Sequence, residues 1–295
     1  MTLIRTIAPD SQRLYQDVAW LTQLRPYRNY QQVKSLDQTA HYIRQAWQAY
    51  GYEVHYQSYE ARGALYHNVC TAYNLEAEER LVIGAHYDVD GNQPGADDNA
   101  SAVAGLLELS RLLQTAKPKL RLGIEFVAFT LEESPFFYTD LMGSAVHAQT
   151  LREAEVPVRL MICLEMIGYF SDQPGSQKFP HPDLAHYYPD TGNFIALVGR
   201  PEEKPLIQQF KNKMLAAANL PVESFCAPPE QVFDITRSDH FNYWKAGYPA
   251  IMVSDTSFLR NPHYHKPSDT IETLNFEKMT AVVQGVFAAV LDLAS

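Results

Sequence analysis

The sequence predicts an α/β fold, a three-layer αβα sandwich around a mixed, mostly parallel sheet. Three observations predict it. Apolar runs of strand length, among them LVIGAHYD at 81–88 and VRLMICL at 158–164, start or continue without alternation, as expected of strands buried on both faces. Helix-length segments separate these runs, the pattern of parallel strands joined by crossover helices. An early pair of alternating segments reads as a hairpin, which makes the sheet mixed. The 295 residues are 46% hydrophobic and 20% charged, enough apolar surface to offset the entropy of ordering. No shift in composition marks a boundary, so residues 1–295 read as a single domain.

The elements follow in chain order. Residues 1–50 read as helical and packed on that domain. Asp37 is expected to cap a helix whose apolar positions include Ala40, Ile43, Ala46 and Trp47, with Gly51 closing it. YEVHYQSYE at 52–60 and LYHNVCTAY at 65–73 are the hairpin strands. A buried strand at 81–88 is followed by a helix over 100–113 and a further strand over 120–130. Strands at 158–164 and 194–199, a helix at 203–218, a strand at 249–253 and a last helix at 276–293 complete the pattern. Ser171–Asp190 and Cys226–Phe233 read as long loops, which in compact domains often form the walls of sites.

Charge and composition exclude several roles. With 24 Lys and Arg against 34 Asp and Glu, the formal net charge is -10. That balance argues against nucleic acid as a partner, because phosphate binding needs a basic patch, and its main reading is a soluble surface. No apolar run approaches the roughly 20 residues of a membrane-spanning helix. The N-terminus lacks the apolar stretch of a secretory leader, and Cys70, Cys163 and Cys226 form no disulfide or thiolate-metal pattern. A cytoplasmic location is the expectation. Oligomeric state is not legible.

Polar residues gather at the carboxyl ends of the buried strands, where open α/β sheets bind ligands. The first strand ends in His86-Tyr87-Asp88, placing His86 and Asp88 on one face; a carboxylate beside an imidazole fixes its tautomer for metal binding. The turn GADDNAS at 95–101 leads into a helix. One Asp suffices as a cap, and the helix start favours the anionic, metal-binding form of the other. The strand at 120–130 runs into Glu132-Glu133, costly if buried without partners. The next strand runs into Glu165 in wholly apolar surroundings, and a loop before the last helix carries His263-Tyr264-His265. Read singly, these are a structural histidine, caps and a polar turn. Together, His86, Asp98, Glu132, Glu133, Glu165 and His265 form a set of imidazoles and carboxylates suited to zinc or a similar divalent ion.

The ordered motifs resemble metallopeptidase family 28, the cocatalytic zinc aminopeptidases. The similarity runs from about Leu81 to Thr270 through H-x-D at 86–88, GADDNASA at 95–102, Glu132-Glu133, Glu165-Met166-Ile167-Gly168, Ser238-Asp239-His240, and His265 with Asp269-Thr270. The resemblance implies a zinc-dependent exopeptidase-like fold holding two divalent metal ions, expected to be zinc. His86, Asp98 and Glu165 would hold one, and Asp98, Glu133 and His265 the other, with Asp98 bridging. Glu132 would be the general base, Asp88 would orient His86, and Tyr264 would stabilise the oxyanion. Asp239 and Asp269 would be supports, and Arg237 would help Tyr264 at the oxyanion. The implied partner is a peptide or aminoacyl substrate, and the implied activity an aminopeptidase.

Three departures from the family pattern stand out. Glu165 replaces the usual Asp, Ala102 replaces the last Gly of the D-D-N turn, and SPFFYTDLMGS at 134–144 replaces a shorter turn. Glu165 is also the residue that glutaminyl cyclases of similar fold use. A cyclase, or a carboxypeptidase or amide hydrolase of the same fold, is therefore the alternative, and a non-catalytic scaffold is disfavoured by the complete ligand set. Phe136, Phe137, Tyr138, Phe179 and Phe233 are candidate pocket aromatics. No G-x-S-x-G elbow points to a serine nucleophile, and Cys163 reads as core.

Overall fold

Apolar, β-branched runs dictate the centre of the molecule. The computed structural model describes residues 7–295; residues 1–6, which open the stretch read as helical and leaderless, lie outside the described residues. Eight strands form one sheet: β1 (Val54–Ala61), β2 (Ala64–Tyr73), β3 (Arg80–His86), β4 (Gly123–Phe129), β5 (Val158–Glu165), β6 (Ile195–Gly199), β7 (Val222–Cys226) and β8 (Ala250–Ser254). Their order is β1-β2-β4-β3-β5-β8-β6-β7. The four central strands β4, β3, β5 and β8 are mutually parallel, while β2 and β6 join them antiparallel. The sheet is thus mixed with a parallel centre, as predicted, and its four central carboxyl ends share one edge.

The hairpin closes tightly. Ala61 pairs with Ala64, and Arg62 and Gly63 turn at φ 49° and 82°, the left-handed pair that a two-residue turn matching strand twist requires.

Helices cover both faces. On one lie α1 (Ser11–Gln23), α2 (Val33–Ala49), α3 (Ala102–Ala116), α5 (Lys204–Ala217) and α7 (Phe276–Ala294); on the other lie α4 (Gly143–Glu153) and α6 (His240–Lys245). From Ala102 to Ser110 every residue of α3 is buried, because the helix is wedged between the sheet and helices α1 and α7. Each fully buried Leu, Val or Ile there contributes about 1.5–3 kcal/mol.

Several elements differ from expectation. Asp37 does not cap α2, which begins four residues earlier at Val33. The buried stripe Leu36, Ala40, Ile43 and Trp47 extends the helix upstream past it. Strand β7 and helix α4 were not anticipated. Strand β7 is a short edge strand, VESFC, with little apolar alternation; α4 starts at a Gly with no side-chain cap. The 120–130 strand is shorter than expected, Gly123–Phe129, and carries buried Glu125. The 171–190 loop carries a short 3-10 turn, Pro182–His186.

Candidate metal centre

Three neighbouring strands deliver the polar groups to one edge. His86 is the last residue of β3, Glu165 the last of β5, and Glu132-Glu133 follow β4 by three residues. All four are buried. The fifth group, Asp98, comes from the turn Ala96–Ser101, where Asp98 and Asn99 leave helical geometry. Gly95 permits that turn: its φ is 58°, and a Cβ there would lie 2.2 Å from the Asp98 carbonyl oxygen.

The carboxylate of Asp98 faces both imidazoles. Its Oδ1 lies 3.3 Å from His86 Nε2 and its Oδ2 lies 3.1 Å from His265 Nε2. Glu165 Oε2 is 3.4 Å from His86 Nε2, and Glu133 Oε2 is 3.3 Å from His265 Nε2. Glu132 Oε2 stands off at 3.9 Å from His86 Nε2. His86, Asp98 and Glu165 converge closely enough to share one ion; so do His86, Glu132 and Glu133, and so do Asp90, Glu133 and His265. His86 Nε2, Asp98 Oδ1 and Glu133 Oε1 are buried yet make no hydrogen bond. Buried polar atoms without partners are rare and costly. A divalent cation fits this donor set of imidazole nitrogens and carboxylate oxygens.

Electrostatics point the same way. Burial, reinforced by Asp98 and opposed by His265, pushes Glu133 up to about 8. Burial raises Glu132 well above the carboxylate range; His86 opposes, while Glu133, Glu165 and Asp239 add to it. Burial lowers His265, but its bonds to Asp98 and Glu133 outweigh that and lift it to about 11. Burial lowers His86 too, and Glu165 and Glu132 outweigh it, so it lies well above its usual value. Burial raises Asp98, and the two imidazoles outweigh it, holding it below its usual range. The imidazoles shift up and Asp98 shifts down, the directions expected where carboxylates outnumber cations.

Two buried carboxylates brace the site through its backbone. Asp88 accepts from the N–H groups of Glu132 and Glu133, each at 3.1 Å. Asp269 accepts from Asp97 at 2.9 Å and Asp98 at 3.1 Å. The Asp88 carboxylate is 3.6 Å from His86 Nδ1, whose hydrogen-bond partner is the Asp88 carbonyl oxygen at 3.2 Å. Asp88 therefore holds the Glu132–Glu133 turn as well as facing the ring. Neither Asp97 nor Asp98 caps the following helix. Asp97 instead accepts from Gly168 N at 2.9 Å and Asn261 Nδ2 at 2.7 Å, tying the turn to two other loops.

Asp90 and Arg28 lay outside the sequence reading, whereas Ser238, Asp239 and Arg237 lay within it. Asp90 Oδ2 is 3.6 Å from His265 Nδ1, the counterpart of Asp88 beside His86; the signal was the second Asp of H-Y-D-V-D. Ser238 donates to Glu165 Oε2 at 2.6 Å. Arg28 is fully buried and donates to the carbonyls of Leu21, Tyr87, Pro94 and Gly95, pinning the loop after β3. Burial lowers its pKa to about 10 against the pull of Asp269, Asp98, Asp88 and Glu133. Asp239 is buried behind the site with neither oxygen bonded, and burial, opposed by His86, lifts it to about 7. Arg237 lines the cavity below and pairs with Asp234 at 3.1 Å.

A cavity of about 380 Å3 opens beside Asp98, Glu132, Glu133 and Glu165. Tyr264 lines it, stacked on His265 with ring centroids 3.8 Å apart. Of the five candidate aromatics, Phe137 and Phe179 line the cavity. Phe136 belongs to the main core, where it meets Tyr30 and Tyr66. Tyr138 packs on Phe233 and Phe241, and Phe233 is largely exposed. The 171–190 loop supplies a wall, as expected. The 226–233 loop does not; Asp234, Ile235 and Arg237 just beyond it do.

Among the described residues, no helix is long and apolar enough to cross a membrane. Residues 68–290 match the Peptidase family M28 model. The chain is 44% identical over 283 residues to Escherichia coli (strain K12) YfbL, described as an uncharacterized protein, covering 93% of this chain and 86% of that one. It is 29% identical over 227 residues to leucine aminopeptidase 1 of Metarhizium robertsii, covering 72% of this chain. The matched region spans about half the length of that fungal relative, 51%. Among solved structures, Legionella pneumophila LapB aligns with a TM-score of 0.75 and 24% identity over 99% of this chain and 74% of that one. A Bacteroides thetaiotaomicron glutaminyl cyclase aligns with a TM-score of 0.70 and 20% identity over 97% and 98%. Both likenesses show the α/β fold. With the family model spanning most of its length and the strand-end cluster lying inside that span, the chain belongs to peptidase family M28, metal-dependent hydrolases that act on peptides.

Proposed function

We propose that the chain is an aminopeptidase that releases N-terminal residues from peptides and works with two divalent ions, zinc being the expected one. His86, Asp98 and Glu165 would hold one ion, and Asp98, Glu133 and His265 the other. The observation that carries this reading is Asp98, whose two oxygens lie 3.3 and 3.1 Å from the Nε2 atoms of two different histidines. Such ions, when bound, acidify water and polarise the scissile carbonyl.

The chain's own residues supply the proton transfers. Glu132 stands at the cavity edge, 3.9 Å from His86 Nε2 and further off than the other carboxylates facing that atom. It takes the proton of the attacking water and passes it to the leaving amine. Burial, opposed by His86, raises its proton affinity above that of an ordinary carboxylate, which favours holding the accepted proton until it is passed on. Asp88 fixes Glu132 by accepting its backbone N–H. Burial keeps the Tyr264 hydroxyl protonated, with the Asp98 and Glu133 charges adding to the effect, so it can donate to the oxyanion that forms on the carbonyl. The substrate's free amine is attracted to the surplus carboxylates, which selects peptide ends.

Glu165 favours a second reading, a glutaminyl cyclase. Against it stands the second ligand group around Glu133 and His265. The two are separated by incubating zinc-loaded protein with peptides beginning in Leu, Phe or Gln, with and without a chelator. Release of the first residue, abolished by the chelator, is expected. Loss of ammonia from the Gln peptide without release of any residue would install the cyclase instead, and release from the carboxyl end would make the chain a carboxypeptidase.

A further inference from the structure

We infer that the cavity beside the centre receives a large aromatic side chain of the substrate's first residue, and that Ala196 sets its depth. This rests on the aminopeptidase reading above.

The argument starts from sheet register. Glu165 pairs with Ser254, Ser254 with Ala196, and Ala196 with Glu223. These four residues form one row across β5, β8, β6 and β7, on one face of the sheet. At about 4.8 Å per strand, the row spans roughly 14 Å from the metal-facing carboxylate to Glu223. Its two middle positions are Ser and Ala, so the floor there is low. One row away Met252, Val198 and Phe225 pair across the same strands and are bulkier, closing the cavity behind. Helix α6 packs on β5 and β8. Over β6 and β7 the cover is the 177–188 loop, which brings Phe179 and Tyr188 to the cavity wall.

The wall is held in place. Gln177 accepts from Arg260 Nε at 2.9 Å and its amide donates to Thr256 Oγ1 at 2.9 Å. Tyr188 donates to the Ser224 carbonyl at 2.9 Å. At the far end, the Glu223 carboxylate is matched by Lys211 Nζ at 3.1 Å, so the pocket does not call for a substrate cation. A volume of about 380 Å3 lies inside the roughly 300–1,000 Å3 range of ligand pockets. An aromatic ring laid over Ser254 and Ala196 meets apolar groups on floor and wall. Any side chain longer than a methyl group at position 196 rises into that space.

The test compares Phe-4-nitroanilide, Ala-4-nitroanilide and Arg-4-nitroanilide on the zinc-loaded wild type, Ala196→Phe and Ala196→Gly. The wild type is expected to favour Phe over Ala at least tenfold in kcat/KM. Ala196→Phe is expected to lower that ratio at least tenfold, mainly through KM, and Ala196→Gly to raise it and extend it to naphthylalanine. Calorimetric binding of L-phenylalaninol against L-alaninol is expected to shift in the same order without turnover. A ratio and a binding order unmoved by both substitutions, or a wild type that prefers Arg to Phe, overturns the inference while leaving the aminopeptidase reading intact. A wild type that releases no residue from any substrate overturns both. If Ala196→Phe does not fold, the Gly variant and the wild-type panel decide the matter.

Discussion

Two buried clusters of histidine and carboxylate flank the same strand, and they are resolved in opposite ways. Midway along β4, Glu125 Oε2 meets Arg80 at 3.0 Å and Oε1 meets His147 Nε2 at 3.3 Å, while His147 Nδ1 meets the Tyr243 hydroxyl at 2.7 Å. Burial would raise Glu125, but His147 and Arg80 outweigh it and hold it down at about 2. Every donor there has its acceptor. Beyond the end of β4, Glu132 and Glu133 join His86, Asp98, Glu165 and His265, and there His86 Nε2, Asp98 Oδ1 and Glu133 Oε1 have no hydrogen-bond partner. The residue types are alike; the balance is not. A closed network is structure; a surplus of unpartnered ligand atoms is the pattern expected of a metal site.

That contrast can be broken by substitution. The largest effect is expected from Asp98→Asn, which removes the carboxylate facing both histidines: zinc binding at both sites and turnover should fall by at least a thousandfold, measured by metal analysis and peptide hydrolysis. Glu132→Gln should keep its zinc and lose about 10²–10⁴-fold in kcat, so a variant that loses its metal instead would recast Glu132 as a ligand. Glu125→Gln should do the reverse. Breaking a buried ion pair costs about 3–5 kcal/mol, so its denaturant midpoint should drop while zinc content holds.

Acid sharpens the same comparison. The folded-state pKa of Glu125 lies below its ordinary 4.5, at about 2. Its stabilisation is present above about pH 4.5 and is lost as pH falls toward 2, amounting to about 3 kcal/mol at most. Unfolding curves of metal-free wild type should therefore steepen against pH in that window relative to Glu125→Gln, and parallel curves would contradict the assignment. The smallest effect is expected at Asp90→Asn, which loosens His265 from behind. Zinc affinity should weaken about tenfold, read by chelator competition with kcat little changed.

Much of this was legible in the sequence, for a physical reason. Strands buried on both faces announce themselves as apolar runs, and a His or Glu at the end of such a run has few structural excuses. That exposed His86, Glu132, Glu133 and Glu165 together, and ordered motifs added Asp98 and His265. Residues that act through the backbone gave no such signal. Arg28 lies 58 residues before His86 in the loop between α1 and α2, and only folding reveals that it grips the loop after β3. Asp97 read as a helix cap, yet it ties three turns together. Glu125 was hidden inside its strand because its partners Arg80 and His147 come from elsewhere in the chain. Asp37 misled because local capping preference yielded to the buried stripe of α2. The aromatics of 134–144 and of Phe233 divided between core, surface and cavity, a partition that composition does not contain.

The central claim is that the unpartnered atoms at the strand ends are ligands for two ions. Zinc titrated calorimetrically into chelator-stripped protein, in two buffers of different ionisation enthalpy, tests it most directly. Two equivalents should bind with release of protons, because imidazole and carboxylate ligands must be deprotonated to hold a metal, and Glu133→Gln should reduce the count to one. Absence of binding, or binding with no proton release and a stoichiometry indifferent to both Asp98→Asn and Glu133→Gln, would contradict the account.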